Sequence, residues 1–513
     1  MSGKIVSSDR EMDQEALVRR AARAARGLAA LGIKAGEGVA IMLRNDFAFF
    51  EASIAASMLG AAATPINWHF TGEEMAYIVG DCGSRVLVIH ADLWARVRGG
   101  MPAGALDGVT ILVVETPPAI AAAYGISPAD GAVLPDAIDW DAWVDGQEPL
   151  DAGLPPMSIS MIYTSGTTGR PKGVRRDPPT AESVAAIGGM VERTFGTTPG
   201  MRTVMCGPMY HAAPNVYGLM AFRAESTIVL QPRFDPLELM ALIEAHRITH
   251  VHMVPTMFVR LLKLPGELQQ RHDLSSLEFV VHAAAPCPPD IKRAMIDWWG
   301  PVINEYYGST ETGAVVFCNS EEWLAHPGTV GQPVPEATVR IYDDDGRERP
   351  IGEVGEVYVR LDGLPDFTYQ GRDADRRAIE RDGLITAGDV GYLDEDGFLY
   401  LCDRKNDMVI SGGVNIYPAE IEAVLVNHPD VFDCAVFGIP DDEFGEALAA
   451  HVQPTAGASP DAHALRAFLS ERIAGYKIPK RIEFQAELPR EDSGKIFKRK
   501  LRDPYWENAG RRI

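Results

Sequence analysis

The sequence has no apolar run long enough to cross a bilayer, no paired cysteines and no surplus of basic charge. Its most apolar stretch, residues 49–66, is interrupted by Glu51, Ser53 and Ser57 and closes on Pro65, whereas a spanning helix needs about 20 nearly uninterrupted apolar residues. The six cysteines, Cys82, Cys206, Cys287, Cys318, Cys402 and Cys434, are scattered singly. Without a C-x-x-C pair or a metal-ligand spacing they read as reduced thiols that mostly fill core. Asp and Glu outnumber Lys and Arg by 71 to 48, a formal charge of −23. That balance argues against nucleic-acid binding, which neutralises phosphates with clustered cations. The N-terminal residues lack the short apolar core and small-residue cleavage site of a secretion signal, so a cytoplasmic location is expected.

What is present is a chain of 513 residues, too long for one ordinary core, so two or more domains are expected. Helical and strand patterns alternate: a helix to about Leu31, strand 38–43, a helix from Phe47, strand 62–66, helix 72–79 and strand 85–90. After a less regular stretch at 91–155 the rhythm resumes with helix 236–246, strand 248–254, helix 255–262, strand 277–283 and helix 288–299. Such alternation predicts parallel α/β layers. From about Gly328 to Leu401, short strands broken by turn residues predict antiparallel β. Beyond Asp403, helix 419–427, strands 432–438 and 447–452 and helix 461–473 suggest a separate small domain with both helices and strands.

The strongest chemical signal is YTSGTTGRPKG at residues 163–173. Thr164, Ser165, Gly166, Thr167, Thr168 and Gly169 offer backbone N–H groups and hydroxyls to a polyphosphate, Lys172 adds a cation, and glycine lets the backbone approach closely. The run is not the nucleoside-triphosphatase loop, because Gly166 and Gly169 are too close and Lys172 is followed by Gly173. A shorter Gly/Ser/Thr run would read as a surface turn; eleven residues in this order are hard to reach by accident. Near the C-terminus Lys495, Lys498, Arg499, Lys500 and Arg502 supply local positive charge, which alone would be a solvated basic tail.

Together with YGSTE at 307–311, DRKNDMVISGGVNIYPAE at 403–420, LPREDSGKIFK at 488–498 and FGIPDDEFGE at 437–446, this motif makes the chain resemble the adenylate-forming superfamily. That superfamily comprises acyl-CoA synthetases, luciferases and peptide-synthetase adenylation domains, and the chain is most like the fatty-acyl and aryl acid CoA ligases. The resemblance runs over nearly the whole chain. It implies an α/β fold with a large N-terminal domain, 1–403, of two α/β lobes plus a small β-barrel-like lobe. A mobile small α+β C-terminal domain, 404–513, would be hinged to it near Asn406. It also implies the reaction: a carboxylic acid and ATP give an acyl-adenylate and pyrophosphate, and the thiol of coenzyme A then takes the acyl group and releases AMP. Mg²⁺ would accompany ATP; the partners would be small molecules, with a homodimer left open.

The same resemblance assigns roles. Lys495 would bridge the substrate carboxylate and the α-phosphate, where two anions must be brought together. Glu311, with Thr167, would hold Mg²⁺, and Thr310 would contact phosphate. Tyr307 would stack on adenine, in a pocket formed with Ala284, Ala285, Pro286, Glu305, Tyr306, Gly308 and Ser309. Asp389 has the two acceptor oxygens that suit a ribose diol, although Ala387 stands where a Thr is usual. Arg404 would bind ribose or phosphate, and His211 would border the acid site. Gly412 and Gly413 would line the path of the incoming thiol. No Asp follows His211 within AAPNVYGLMAF, so amino-acid activation is disfavoured, since a buried ammonium would lack its partner. Small residues at 212–216 and 282–287 suggest a roomy site for a medium or long chain, an aryl acid or a bulky alicyclic acid. Gly308 occupies the position of a tunnel-closing Trp in acetyl-CoA synthetases. On that reading acetate is a poor substrate, and Gly308→Trp would cut activity on long acids selectively. Alternatives are loading of a carrier protein instead of free coenzyme A, and a non-catalytic nucleotide-binding protein on the same scaffold.

Overall fold

The computed structural model describes residues 3–8, 10–151, 153–154, 159–164, 171–441, 443–490 and 496–507. Two sheets organise the N-terminal part. One has five strands in the order Ala62–Pro65, Gly38–Met42, Val86–His90, Thr110–Val114 and Ile138–Asp139, all pairing parallel. The other has nine, in the order Gln332–Pro333, Gly313–Cys318, Ile303–Ser309, Phe279–His282, His250–Met253, Arg202–Met205, Thr227–Leu230, Lys4–Ser7 and Arg10–Asp13.

Helices Gln14–Ala30, Phe47–Met58, Ala181–Phe195 and Ala212–Arg223 share one core with the facing sides of both sheets. This explains why the sequence FAFFEASIAASM is apolar nearly all round: its helix is covered from every side. The outer face of the nine-stranded sheet is covered by Pro236–His246, Pro255–Leu262 and Pro289–Trp299. The outer face of the five-stranded sheet is covered by Gly72–Asp81 and Ala91–Val97.

Antiparallel β follows as expected, with strands Ala337–Tyr342, Gly355–Leu361, Leu384–Leu393, Glu380–Arg381 and Leu399–Arg404. The last part has its own core. There a three-stranded sheet of Val431–Asp441, Gly445–Pro454 and Arg481–Phe484 packs with helices Pro418–Leu425 and Ala462–Ser470. The architecture is therefore mixed α/β, with a large N-terminal and a small C-terminal domain.

Three differences from the sequence reading have physical causes. Residues 4–7 form a strand beside Thr227–Leu230, although four residues are too few to show a period. The stretch 91–155 contains the buried strand Thr110–Val114, whose continuous apolar run fits a helix pattern as well as a strand. Asp373–Ala378 forms one helical turn amid the strands. Of the described cysteines, four are buried, two are half-buried and all are free. No helix of the described residues is long and apolar enough to cross a membrane.

Candidate active site

The expected phosphate loop sits between two antiparallel strands, Ile162–Thr164 and Lys172–Arg176, with Thr164 opposite Lys172. Ser165, Gly166, Thr167, Thr168 and Gly169 lie outside the described residues. The flanks are anchored: the Tyr163 hydroxyl donates to Asp81 at 2.6 Å, and the Tyr77 hydroxyl donates to the Pro171 carbonyl at 3.3 Å. Lys172 pairs with Asp375 at 2.8 Å and lies 5.1 Å from the centroid of the Tyr369 ring.

Beside Lys172 stands YGSTE. Its Glu311 carboxylate accepts from the Tyr369 hydroxyl at 3.0 Å. The Arg176 guanidinium donates to the carbonyls of Thr310 and Glu311 at 2.9 and 2.6 Å, locking this turn to the strand that follows the phosphate loop. Burial pushes Arg176 down to about 10. Sequence reading missed both Arg176 and Tyr369; the alternating burial of Phe367, Thr368 and Tyr369 marks a strand but not its target.

The residues expected to meet the nucleoside come from three separate segments. The Tyr307 hydroxyl donates to Asp389 Oδ2 at 2.8 Å, and Arg404 Nε lies 3.5 Å from Asp389 Oδ1. Burial pushes the Tyr307 phenol far up, with the Asp389 charge adding to it, so it stays protonated and donates. Near Ala387, the Thr386 hydroxyl donates to Glu356 at 2.9 Å and accepts from the Gly388 N–H at 2.9 Å. Ala284, Ala285 and Pro286 form an exposed loop at the carboxyl end of Phe279–His282, where ligands of open α/β sheets bind. Ala283, which leads into this loop, is buried, and Ala284 takes a left-handed conformation with φ 73°.

Glu305 needs correction as a cofactor contact through its side chain. Neighbours in a strand point to opposite faces. Tyr306 reaches His252 on one face, at 3.0 Å; Glu305 turns to the other and accepts from Lys292 at 2.6 Å. Gly308 also changes meaning. A β-carbon there would lie 1.9 Å from the Gly313 carbonyl oxygen, so backbone contact across the hairpin excludes any side chain. Gly308→Ala is therefore expected to lower adenylate formation on acetate, benzoate and palmitate alike; a selective loss on long acids would restore the tunnel reading.

His211 caps the helix Ala212–Arg223 without a side-chain capping bond, its ring 4.4 Å from that of Tyr210. Two asparagines absent from the sequence reading fix its loop. Asn45 donates to the Gly207 carbonyl at 2.8 Å and accepts from the Met209 N–H at 2.9 Å. Asn215 donates to the Met209 carbonyl at 3.0 Å while accepting from Ser160 at 2.9 Å.

Asn406, the expected hinge residue, is exposed in a turn closed by Asp407 N–H to the Arg404 carbonyl at 3.0 Å. Gly412 and Gly413, with φ 58° and 82°, make the two-residue turn between Val409–Ser411 and Val414–Ile416. Both are exposed, and a β-carbon at Gly412 would meet the Phe444 ring at 3.0 Å. Lys495 lies outside the described residues; its flanks Arg490 and Ile496 form an antiparallel bridge.

Residues 4–364 match the family model for AMP-binding enzymes, and residues 420–495 match that of their C-terminal domain. The chain belongs to the AMP-binding enzyme family. It is 34% identical to a feruloyl-CoA synthase from Amycolatopsis sp over 488 residues, which cover 95% of this chain and 92% of that one. It is 32% identical to the fatty acid–[acyl-carrier-protein] ligase ScoC from Streptomyces coeruleorubidus, over 99% of this chain and 94% of that one. Among solved structures, ATP-bound MatB from Rhodopseudomonas palustris superposes with a TM-score of 0.81 at 26% identity, covering 99% of this chain and 96% of that one.

Proposed function

We propose that this AMP-binding enzyme is an AMP-forming acid–CoA ligase that activates an aryl or fatty acid. The observation that carries the reading is the convergence of Tyr307, Asp389 and Arg404 on one side of YGSTE with Lys172, Tyr369 and Glu311 on the other. A nucleoside and its phosphates need such a pair of neighbouring sites.

In this reading Asp389 receives the ribose hydroxyls, Tyr307 offers its ring to adenine, and the 163–173 segment with Lys172 receives the phosphates. No cluster of three potential metal-ligating side chains exists among the described residues. Glu311 alone therefore fits Mg²⁺ held chiefly by phosphate oxygens and water, with Thr167 as a further ligand. Bound there, Mg²⁺ would neutralise phosphate charge. Lys495 supplies the cation that lets the substrate carboxylate approach the α-phosphate. His211 borders the acid, and residues 404–513 swing about Asn406 to exchange Lys495 for the Gly412–Gly413 turn before thiol attack.

Incubation with ATP, coenzyme A and a panel of acids tests this: AMP and an acyl-CoA thioester should form together. The likeness to ScoC favours a carrier-bound thiol as the second reading. AMP release with thioester only on a phosphopantetheinylated carrier would establish that instead, and ATP binding without AMP release would leave a non-catalytic nucleotide-binding protein.

A further inference from the structure

We propose that Asp375 is a positioning residue for the phosphate site, a resident counter-anion that holds Lys172 between turnovers, yields it to the terminal phosphates of ATP and takes it back as pyrophosphate leaves. The inference rests on the nucleotide-binding reading above and adds to it a residue that no motif in the sequence marks.

Residues 367–378 grip the end of the expected phosphate loop at three consecutive positions. Phe367, Thr368 and Tyr369 pair antiparallel with Arg176, Arg175 and Val174, and the Gln370 N–H donates to the Gly173 carbonyl at 2.9 Å. Arg372 donates to the Tyr77 hydroxyl at 2.9 Å, and that hydroxyl donates to the Pro171 carbonyl. Between these two anchors Asp375, in the helical turn Asp373–Ala378, meets the Lys172 ammonium at 2.8 Å. The neighbours of Lys172 are therefore fixed through their carbonyls, whereas its ammonium is held by an ion pair that a side-chain rotation releases.

The pair suits exchange better than permanence. The Lys172 side chain is 13% exposed and that of Asp375 40%, and an ion pair open to water on one side is weak. Asp375 is nevertheless a full anion at neutral pH: the Lys172 ammonium, with Arg372 adding to it, holds its carboxyl below the usual carboxylate range. Tyr369 keeps Lys172 from the other anion of the site, since its hydroxyl engages Glu311 at 3.0 Å while its ring faces the ammonium, 5.1 Å from the centroid. Along the contacts that run from Asp389 through the 307–311 turn and Tyr369, Lys172 comes last. That end of the site is where the phosphates farthest from the nucleoside arrive, so AMP, with its single phosphate, stops short of it.

Isothermal titration of the full chain with ATP, inorganic pyrophosphate and AMP, each with Mg²⁺, tests this. Asp375→Asn should bind ATP and pyrophosphate about fivefold more tightly than wild type, the scale of one exposed ion pair, and should bind AMP with unchanged affinity. On a Lys172→Met background the same substitution should lose its effect, because the two residues act as a pair. A merely structural role for Asp375 would not separate ATP from AMP. Unchanged or weaker ATP binding by folded Asp375→Asn, equal tightening toward AMP, or an effect that persists without Lys172 overturns the proposal while leaving nucleotide binding intact. Failure of the folded wild type to bind ATP overturns both.

Discussion

Lys495→Ala is expected to slow acyl-adenylate formation by about two to three orders of magnitude, the loss typical of a charge that acts in the transition state. The same variant should still convert supplied acyl-adenylate and coenzyme A to thioester. Gly413→Leu should do the reverse, forming the adenylate and failing to transfer it. The split follows if two faces of the C-terminal domain serve one active site in turn. The exposed hairpin fits the first of the two poses, since Ile410 and Val414 at its rim are 48% and 45% exposed.

If the C-terminal domain turns about Asn406, the contacts that would part include Val426, which packs into the core on the outer face of the nine-stranded sheet, and the polar bonds that follow. Lys263 donates to the carbonyls of Val431 and Phe432 at 2.6 and 2.5 Å, Asn427 donates to Asp290 at 3.0 Å, and the Ala419 N–H donates to Asp403 across the hinge at 2.9 Å. Nothing lies within 4 Å of a β-carbon built at Gly413. Leucine there meets only the left-handed strain of its φ of 82°, about 1–2 kcal/mol, and the variant should fold. Rapid-quench assays of each half-reaction separate the outcomes; equal loss of both steps in both folded variants would rule out alternating faces.

Periodicity made the layers legible because helices such as Pro255–Leu262 and Pro289–Trp299 carry an N-terminal proline and a regular apolar face. The first sheet's inner strand Thr110–Val114 was not legible, since TILVV has no alternation to read. For the site, the motifs located Tyr307, Glu311, Asp389 and Arg404, and the fold brings Tyr307, Asp389 and Arg404 within hydrogen-bond or ion-pair reach of one another. The residues that fix the Glu311 turn and the loop before His211 were invisible. Arg176, Tyr369, Asn45 and Asn215 act through contacts at separations such as 134 and 164 residues, which no local spacing encodes.

Lys292→Met is expected to destabilise the N-terminal domain by about 3–5 kcal/mol, the range found when one partner of a buried ion pair is removed. Lys292 is fully buried and Glu305 nearly so, and they meet at 2.6 Å. Burial pushes the Glu305 carboxyl up against the pull of the ammonium. The nearby His282 cannot take over: it is fully buried, its pKa is pushed well below the usual range by burial and then by Lys292, and its Nε2 stands 3.5 Å from Glu305. The pair ties helix Pro289–Trp299 to strand Ile303–Ser309 beside His282, the last residue of the strand that precedes the Ala284–Pro286 loop, so the variant should also raise the KM for ATP. Removing both charges, Lys292→Met with Glu305→Leu, should recover most of the stability, because two apolar side chains no longer leave a carboxylate unpaired. Urea unfolding of the three proteins checks this. A loss below about 1 kcal/mol in the single variant, or no recovery in the double, would mean that water reaches the carboxylate and that the pair is not what holds the loop's support together.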